Sequence, residues 1–204
     1  MKLILYHGTS EKNAKQIEKE GFVPDTKHNW KVKSKKGFVY LSSAYAPFYC
    51  MNASKGDKLA LVKVEVDTKD CYPEDDYLML IVKNIGAKSP EDIKMSVTYT
   101  QEELDKVNLE DWKHLWKDSL NHMGNVAVRP DKIKILGIRS FDGKELIMKC
   151  DPVISVMNFK VMGDYYNKLS EWIFEGKQIK DFPSQTAIML GISDEEVQKR
   201  LGKL

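Results

Sequence analysis

The chain has 204 residues and a mass of 23.5 kDa, enough for one domain of ordinary size with a small appendix. A hydrophobic share of 42% beside 30% charged residues excludes wholesale disorder. The net charge of +2 gives no global argument for a nucleic-acid partner, so only local patches can speak.

Residues 2–6 read as a short buried strand ended by His7 and Gly8, with Thr9 or Ser10 capping the helix that follows. Ala14 and Ile17 mark the apolar side of that helix, Gly21 is a natural terminator and Pro24 stops any continuation. Residues 25–37 form a loop with five lysines, Lys27, Lys31, Lys33, Lys35 and Lys36, and one tryptophan, Trp30. Phe38 to Leu41 is a second strand, and Ser42 or Ser43 starts a helix through Tyr45, Phe48 and Tyr49. Residues 59–66 alternate as a strong strand, and Leu78 to Val82 fits a short strand or a helical turn.

Thr100 with Glu103 predicts a capping box, and 109–121 carries Leu109, Trp112, Leu115, Trp116 and Leu120 at helical spacing. Residues 125–129 and 133–138 read as strands separated by Pro130-Asp131. Phe141 to Lys144 reads as a hairpin turn, with Glu145 to Cys150 as its return strand. After Pro152 the texture becomes helical, over 163–175 and 184–201, which sets a boundary near 150–160. The tail 184–201 has the pattern of a helix-turn-helix. Its second helix opens with Asp194-Glu195-Glu196, which suits a helix dipole better than DNA phosphates, so a small packing module or one that contacts a protein partner is the expectation.

Cys50, Cys71 and Cys150 are odd in number, far apart and form no CxxC, so neither a disulfide framework nor a cysteine zinc site is expected. No pair of histidines has metal-ligand spacing, and no metal is expected. No run approaches the ~18 apolar residues of a membrane span. The start does not read as a signal peptide. No membrane association and a cytoplasmic setting are therefore expected.

Taken as a set, Tyr6-His7-Gly8-Thr9 at a strand end, a helix reaching Gly21-Phe22, then Gly37-Phe38-Val39-Tyr40-Leu41-Ser42 and a helix with Tyr49-Cys50 resemble the NAD-binding core of the ADP-ribosyltransferase superfamily, on its poly(ADP-ribose) polymerase and RNA 2′-phosphotransferase side. The resemblance is strongest over 3–50 and extends to about 150. It implies an α+β fold: a split antiparallel β core with peripheral helices over 1–150, and a small helical extension over 151–204. It implies NAD as co-substrate and a nucleotide-binding glycosyltransferase activity that puts one ADP-ribose on a protein or nucleic-acid acceptor. His7 would orient a ribose hydroxyl, and the Gly8 backbone would meet the carboxamide. Thr9 and Ser42 would border the nucleotide, while Tyr40 and Tyr49 would hold the nicotinamide ring. Aromatic faces suit a planar cationic pyridinium.

The family's charge-stabilising glutamate opens a late core strand. Here that strand is 125–128, so the third catalytic position falls on Gly124 or Asn125. A neutral amide can hydrogen bond to ribose but carries no formal charge. Either Asn125 runs a different transfer, or a carboxylate arrives from elsewhere, such as Glu102, Glu103 or Glu110, or the domain binds NAD or ADP-ribose without transfer. Ala46 also stands where the polymerases have a serine. The RNA 2′-phosphotransferase alternative shares His-Gly-Thr, but the basic lobe that precedes this core in those enzymes is not expected here, and the chain offers few arginines for a phosphate clamp.

Overall fold

A computed structural model describes residues 1–23, 35–53, 58–150 and 159–202. Among them the chain is a mixed α/β fold whose central antiparallel sheet is not closed into a barrel. Six strands, β1 (Lys2–Ser10), β2 (Val39–Ser42), β3 (Lys58–Asp67), β4 (Cys71–Pro73), β5 (Asn125–Val128) and β6 (Lys134–Asp142), lie in the order β4-β5-β2-β1-β3-β6. The helices are α1 (Glu11–Glu20), α2 (Ala46–Ala53), α3 (Asp75–Asn84), α4 (Gln101–Lys106), α5 (Leu109–Trp112), α6 (Trp116–Met123), α7 (Gly143–Lys149), α8 (Phe159–Phe174), α9 (Gln185–Leu190) and α10 (Asp194–Leu201). No described helix is long and apolar enough to cross a membrane.

Contacts divide the chain into two compact units. The first holds 1–5, 17–43 and 64–136, and the second holds 6–16, 44–63 and 137–204. In the first, β5 pairs antiparallel with β2 on one side and β4 on the other. Its apolar cluster is Tyr72, Leu78, Leu109 and Ala127, flanked by Phe38, Tyr40 and Trp112. In the second, α8 supplies Met162, Tyr165, Tyr166, Leu169 and Ile173 to a core shared with Tyr45, Cys50, Leu59, Leu61 and Leu146. The Tyr165 hydroxyl donates within this core to the carbonyls of Lys149 and Pro183, at 2.9 and 3.0 Å.

Several expected elements form as read. The Ser10 hydroxyl accepts from the Asn13 N–H at 3.2 Å, and Gly21 ends α1 at φ 76°. Thr100 and Glu103 make their reciprocal capping box. In the tail, Gly191 in the left-handed region ends α9 and the Ser193 hydroxyl caps α10. The acids opening α10 are partly absorbed within the second unit: the Asp194 carboxylate takes the Ser184 N–H and the Lys149 ammonium.

Three expectations are corrected. First, β1 continues through His7 and Gly8 to Ser10. Second, the stretch 109–121 breaks into α5, a 3₁₀ turn and α6. Third, no return strand follows Phe141. Asp142 caps α7 instead, its carboxylate accepting the Lys144 N–H at 2.8 Å. The Asp-Gly pair admits a hairpin turn, but Glu145 stands three residues after Asp142, a helix-start spacing that competes with the turn. Burial of Leu146 favours the helix. The ambiguous stretch 78–82 is helical, within α3. Pro24, Lys27, His28, Trp30, Lys31 and Lys33 lie outside the described residues.

Candidate functional site

The sequence-predicted residues fall into two groups. Tyr40, Ser42 and Asn125 belong to the first unit, and His7, Gly8, Thr9 and Tyr49 to the second.

In the first unit the register sets Ser42 opposite Asn125, Tyr40 opposite Ala127, and Tyr72 of β4 opposite the same Ala127. Directly opposed residues of antiparallel strands share a face, so Tyr40, Ala127 and Tyr72 make one row and Ser42 with Asn125 the next. Gly124, at φ 68°, ends α6 and turns the chain into β5. Its carbonyl accepts from the Ser43 N–H at 2.9 Å and the Ser42 hydroxyl at 3.0 Å. Asn125 is buried. The buried Ser119 hydroxyl donates to the Asn125 carbonyl at 2.9 Å and accepts the Glu74 N–H at 3.0 Å. The start of β5 is thereby tied to the residue that follows β4.

That residue opens a pair of buried carboxylates, Glu74 and Asp75, only 6% and 7% exposed. Glu74 caps α3 by accepting the Tyr77 N–H at 2.7 Å. Burial, reinforced by Asp76, pushes its carboxyl up to about 8. Asp75 takes the Tyr40 hydroxyl and, at 3.1 Å, the Lys35 N–H on one oxygen. Its other oxygen is buried without a hydrogen-bond partner. Burial raises the Asp75 carboxyl to about 6, against the lowering effect of the two donors. Burial and the neighbouring carboxylate hold the Tyr40 phenol well above its ordinary range, so Tyr40 is a hydrogen-bond donor at any physiological pH.

Lys35 is fixed as well. Its N–H reaches the Tyr40 oxygen at 3.1 Å, and its ammonium donates to the Leu104 carbonyl at 2.9 Å and to the Val107 carbonyl. Burial lowers its pKa. This lysine of the basic segment therefore satisfies the end of α4, where cations suit the helix dipole. Lys35→Ala should lower the melting temperature by a few degrees, from a loss of about 1 kcal/mol. Lys36→Ala, at an exposed position, should leave it unchanged; thermal denaturation checks both.

The three carboxylates expected from elsewhere separate. Glu102 is exposed and pairs with Lys106, and Glu103 is occupied by its capping box and Lys83. Glu110 does approach the sheet face, accepting from the Tyr72 hydroxyl at 2.7 Å and from Arg129 at 3.3 Å. Sequence reasoning missed Glu74 and Asp75. An acidic run before a helix ordinarily faces water and complements the dipole, and no local pattern marks these two as buried.

In the second unit, His7 and Gly8 are half-buried and Thr9 is buried, its hydroxyl accepting from the Asn13 amide at 3.3 Å. The α-carbon of Gly8 lies against α2: a side-chain carbon there would sit 2.0 Å from the Ala46 carbonyl oxygen and 2.9 Å from the Cys50 nitrogen. Packing alone thus demands glycine at this position. Any ligand contact would have to use the Gly8 backbone, because α2 takes the space at its α-carbon. Tyr49 is half-buried on α2, in an edge-on contact with Phe48 at 5.9 Å. A cavity of about 270 Å³ in this unit is lined by residues including Arg139, Phe141, Glu145, Lys177 and Gln178. None of the sequence-predicted site residues lines it. Among the described residues no cluster of histidine, cysteine or carboxylate side chains could hold a metal ion.

Comparison of the chain with protein-family models, with curated proteins and with solved structures gives no match.

Proposed function

We propose that the chain is an NAD-dependent mono-ADP-ribosyltransferase acting on a protein or nucleic-acid acceptor, built on an ADP-ribosyltransferase-like split β core. The reading rests on the sequence signatures around His7-Gly8-Thr9 and Tyr40-Leu41-Ser42. The observation that carries it furthest is the shared face of β2 and β5, with Tyr40, Ser42 and Asn125 on it and the Asp75 carboxylate on the Tyr40 hydroxyl. The roles follow the sequence resemblance alone: it implies that His7 orients the nicotinamide-side ribose, that Tyr40 and Tyr49 hold the nicotinamide, and that Asn125 meets a ribose hydroxyl. The bond from ribose C1′ to the nicotinamide nitrogen breaks with its electron pair leaving on nicotinamide. The acceptor's nucleophile then bonds to C1′ and gives up its proton to solvent or a base. Positive charge that develops on the ribose gains from nearby anionic or dipolar groups.

The test is nicotinamide release and label transfer from NAD to protein, RNA and DNA acceptors. His7→Ala should reduce release by about a hundredfold or more, the scale of losing one group that acts mainly in the transition state. Asn125→Ala should weaken NAD binding. A folded protein that neither binds NAD nor releases nicotinamide refutes the reading.

The neutral Asn125, where the resemblance expects a glutamate, favours a second reading: an NAD or ADP-ribose binding module without transfer. Calorimetric NAD binding in the absence of nicotinamide release would select it.

A further inference from the structure

We propose that Asp75 is the positioning residue of Tyr40, acting through the tyrosine hydroxyl to fix the ring that meets the nicotinamide end of NAD; this rests on the NAD-binding reading above. The ring's β-carbon is set by the β2–β5 ladder. Its far end is set by the hydroxyl, which donates to Asp75 and accepts from the Lys35 N–H. With both ends held, the ring plane has little freedom, which is what a stacking surface for a planar ligand requires.

The choice of residue argues for more than a structural role. Asp75 uses one oxygen for both donors and buries the other without a partner. A buried acceptor left unsatisfied opposes folding, and a buried charge opposes it further. An asparagine could accept both donors on its carbonyl oxygen without burying a charge. A carboxylate in its place forms the stronger, charge-assisted bond to the phenol. The sequence therefore keeps a buried, half-satisfied anion on the tyrosine hydroxyl.

The charged and titratable groups around Asp75 are Glu74, which caps α3, Asp76 on α3, Tyr40 on β2 and Lys35 ahead of it. Asp105 on α4 acts on Lys35, and the Tyr99 hydroxyl donates to Asp76. Asp76 opposes the Asp75 charge, and Lys35 supports it. The Asp75 carboxyl, raised to about 6, should protonate as pH falls through that value and loosen its hold on the hydroxyl.

The experiment uses the full-length chain as wild type, Asp75→Asn, Tyr40→Phe and the double variant. NAD affinity is measured by calorimetry between pH 5 and 8, beside thermal melts. Each single variant should weaken NAD binding by about tenfold at pH 7.5, the scale of one charge-assisted hydrogen bond. The double variant should be no weaker than Tyr40→Phe, because both changes remove one interaction. Wild-type affinity should fall below about pH 6, and this acid limb should vanish in Asp75→Asn. Should Asp75→Asn fail to fold, Tyr40→Phe carries the same reading: it should lose both the tenfold affinity and the acid limb. Wild-type binding in Asp75→Asn, an additive double variant, or a Tyr40→Phe that binds like wild type with its acid limb intact overturns the positioning role alone. A folded wild type that binds no NAD overturns the functional reading and this role with it.

Discussion

Gly8→Ala should destabilise the protein by about 3–5 kcal/mol, the range of severe overpacking against an unyielding neighbour. For a chain of this size that is a fall in melting temperature of about 10 °C or more. The added methyl carbon would lie 2.0 Å from the Ala46 carbonyl oxygen, 2.9 Å from its carbon and 2.9 Å from the Cys50 nitrogen. All three are backbone atoms, so no rotamer change relieves the clash, and either β1 or the first turn of α2 must move. Ala46 and Cys50 are 1% and 0% exposed, and the Cys50 thiol is held to the Ala60 carbonyl at 3.1 Å, so movement of α2 disturbs the core of the second unit. Gly137→Ala is the control. Its methyl would meet only the Phe174 ring edge, at 3.6 Å, an ordinary contact, and the variant should be neutral or slightly stabilising. Thermal melts of the two variants side by side decide the matter. A Gly8→Ala protein as stable as Gly137→Ala would show that β1 does not pack against α2 as described.

Glu74→Gln should stabilise the protein at pH 8.5 and change little at pH 4.5. The Glu74 carboxyl is pushed from its ordinary 4.5 up to about 8 in the folded state, first by burial and then by Asp76. A carboxyl raised on folding binds its proton more tightly in the native chain than in the unfolded one. Its favourable contribution is complete below pH 4.5 and is lost as pH rises toward 8. Across that window unfolding should become easier by on the order of 3–4 kcal/mol. Asp75 acts with the same sign between its ordinary 3.8 and about 6. Glutamine keeps the oxygen that accepts the Tyr77 N–H and removes the titration, so the variant's stability should be flatter from pH 4.5 to 8. Glu103, Glu110 and Asp194 have carboxyls below their ordinary range because of hydrogen bonds and cations beside them. Their contribution is present above the ordinary carboxylate range and is lost as pH falls through their lowered values, so stability should peak on the mildly acidic side. Urea denaturation from pH 4 to 9 measures both limbs. Wild-type stability that rises steadily from pH 5 to 8.5 would contradict the burial of Glu74.

What the sequence determined by itself is local. The Thr100–Glu103 capping box, the Ser10 and Ser193 caps, and the left-handed ends at Gly21 and Gly191 involve partners within about four residues. Hydrogen-bond geometry at that range is written in residue type and spacing. The β2 and β5 strands were also legible, because a run of β-branched and apolar residues bounded by glycine or proline has few alternatives; their pairing was not.

The tertiary structure alone decided what reaches across the chain. The Asp142-Gly143 turn signal gave way to α7 because Leu146 finds a buried place in the helical form. Gly8 owes its identity to Ala46, 38 positions later, and not to any turn. Nothing in the sequence singled out Glu74 and Asp75. They became buried carboxylates only through Ser119, Tyr40 and Lys35, which stand 45, 35 and 40 positions from their partners. Burial, and the proton affinity that follows from it, is set by atoms brought from distant positions, and no local pattern carries that information.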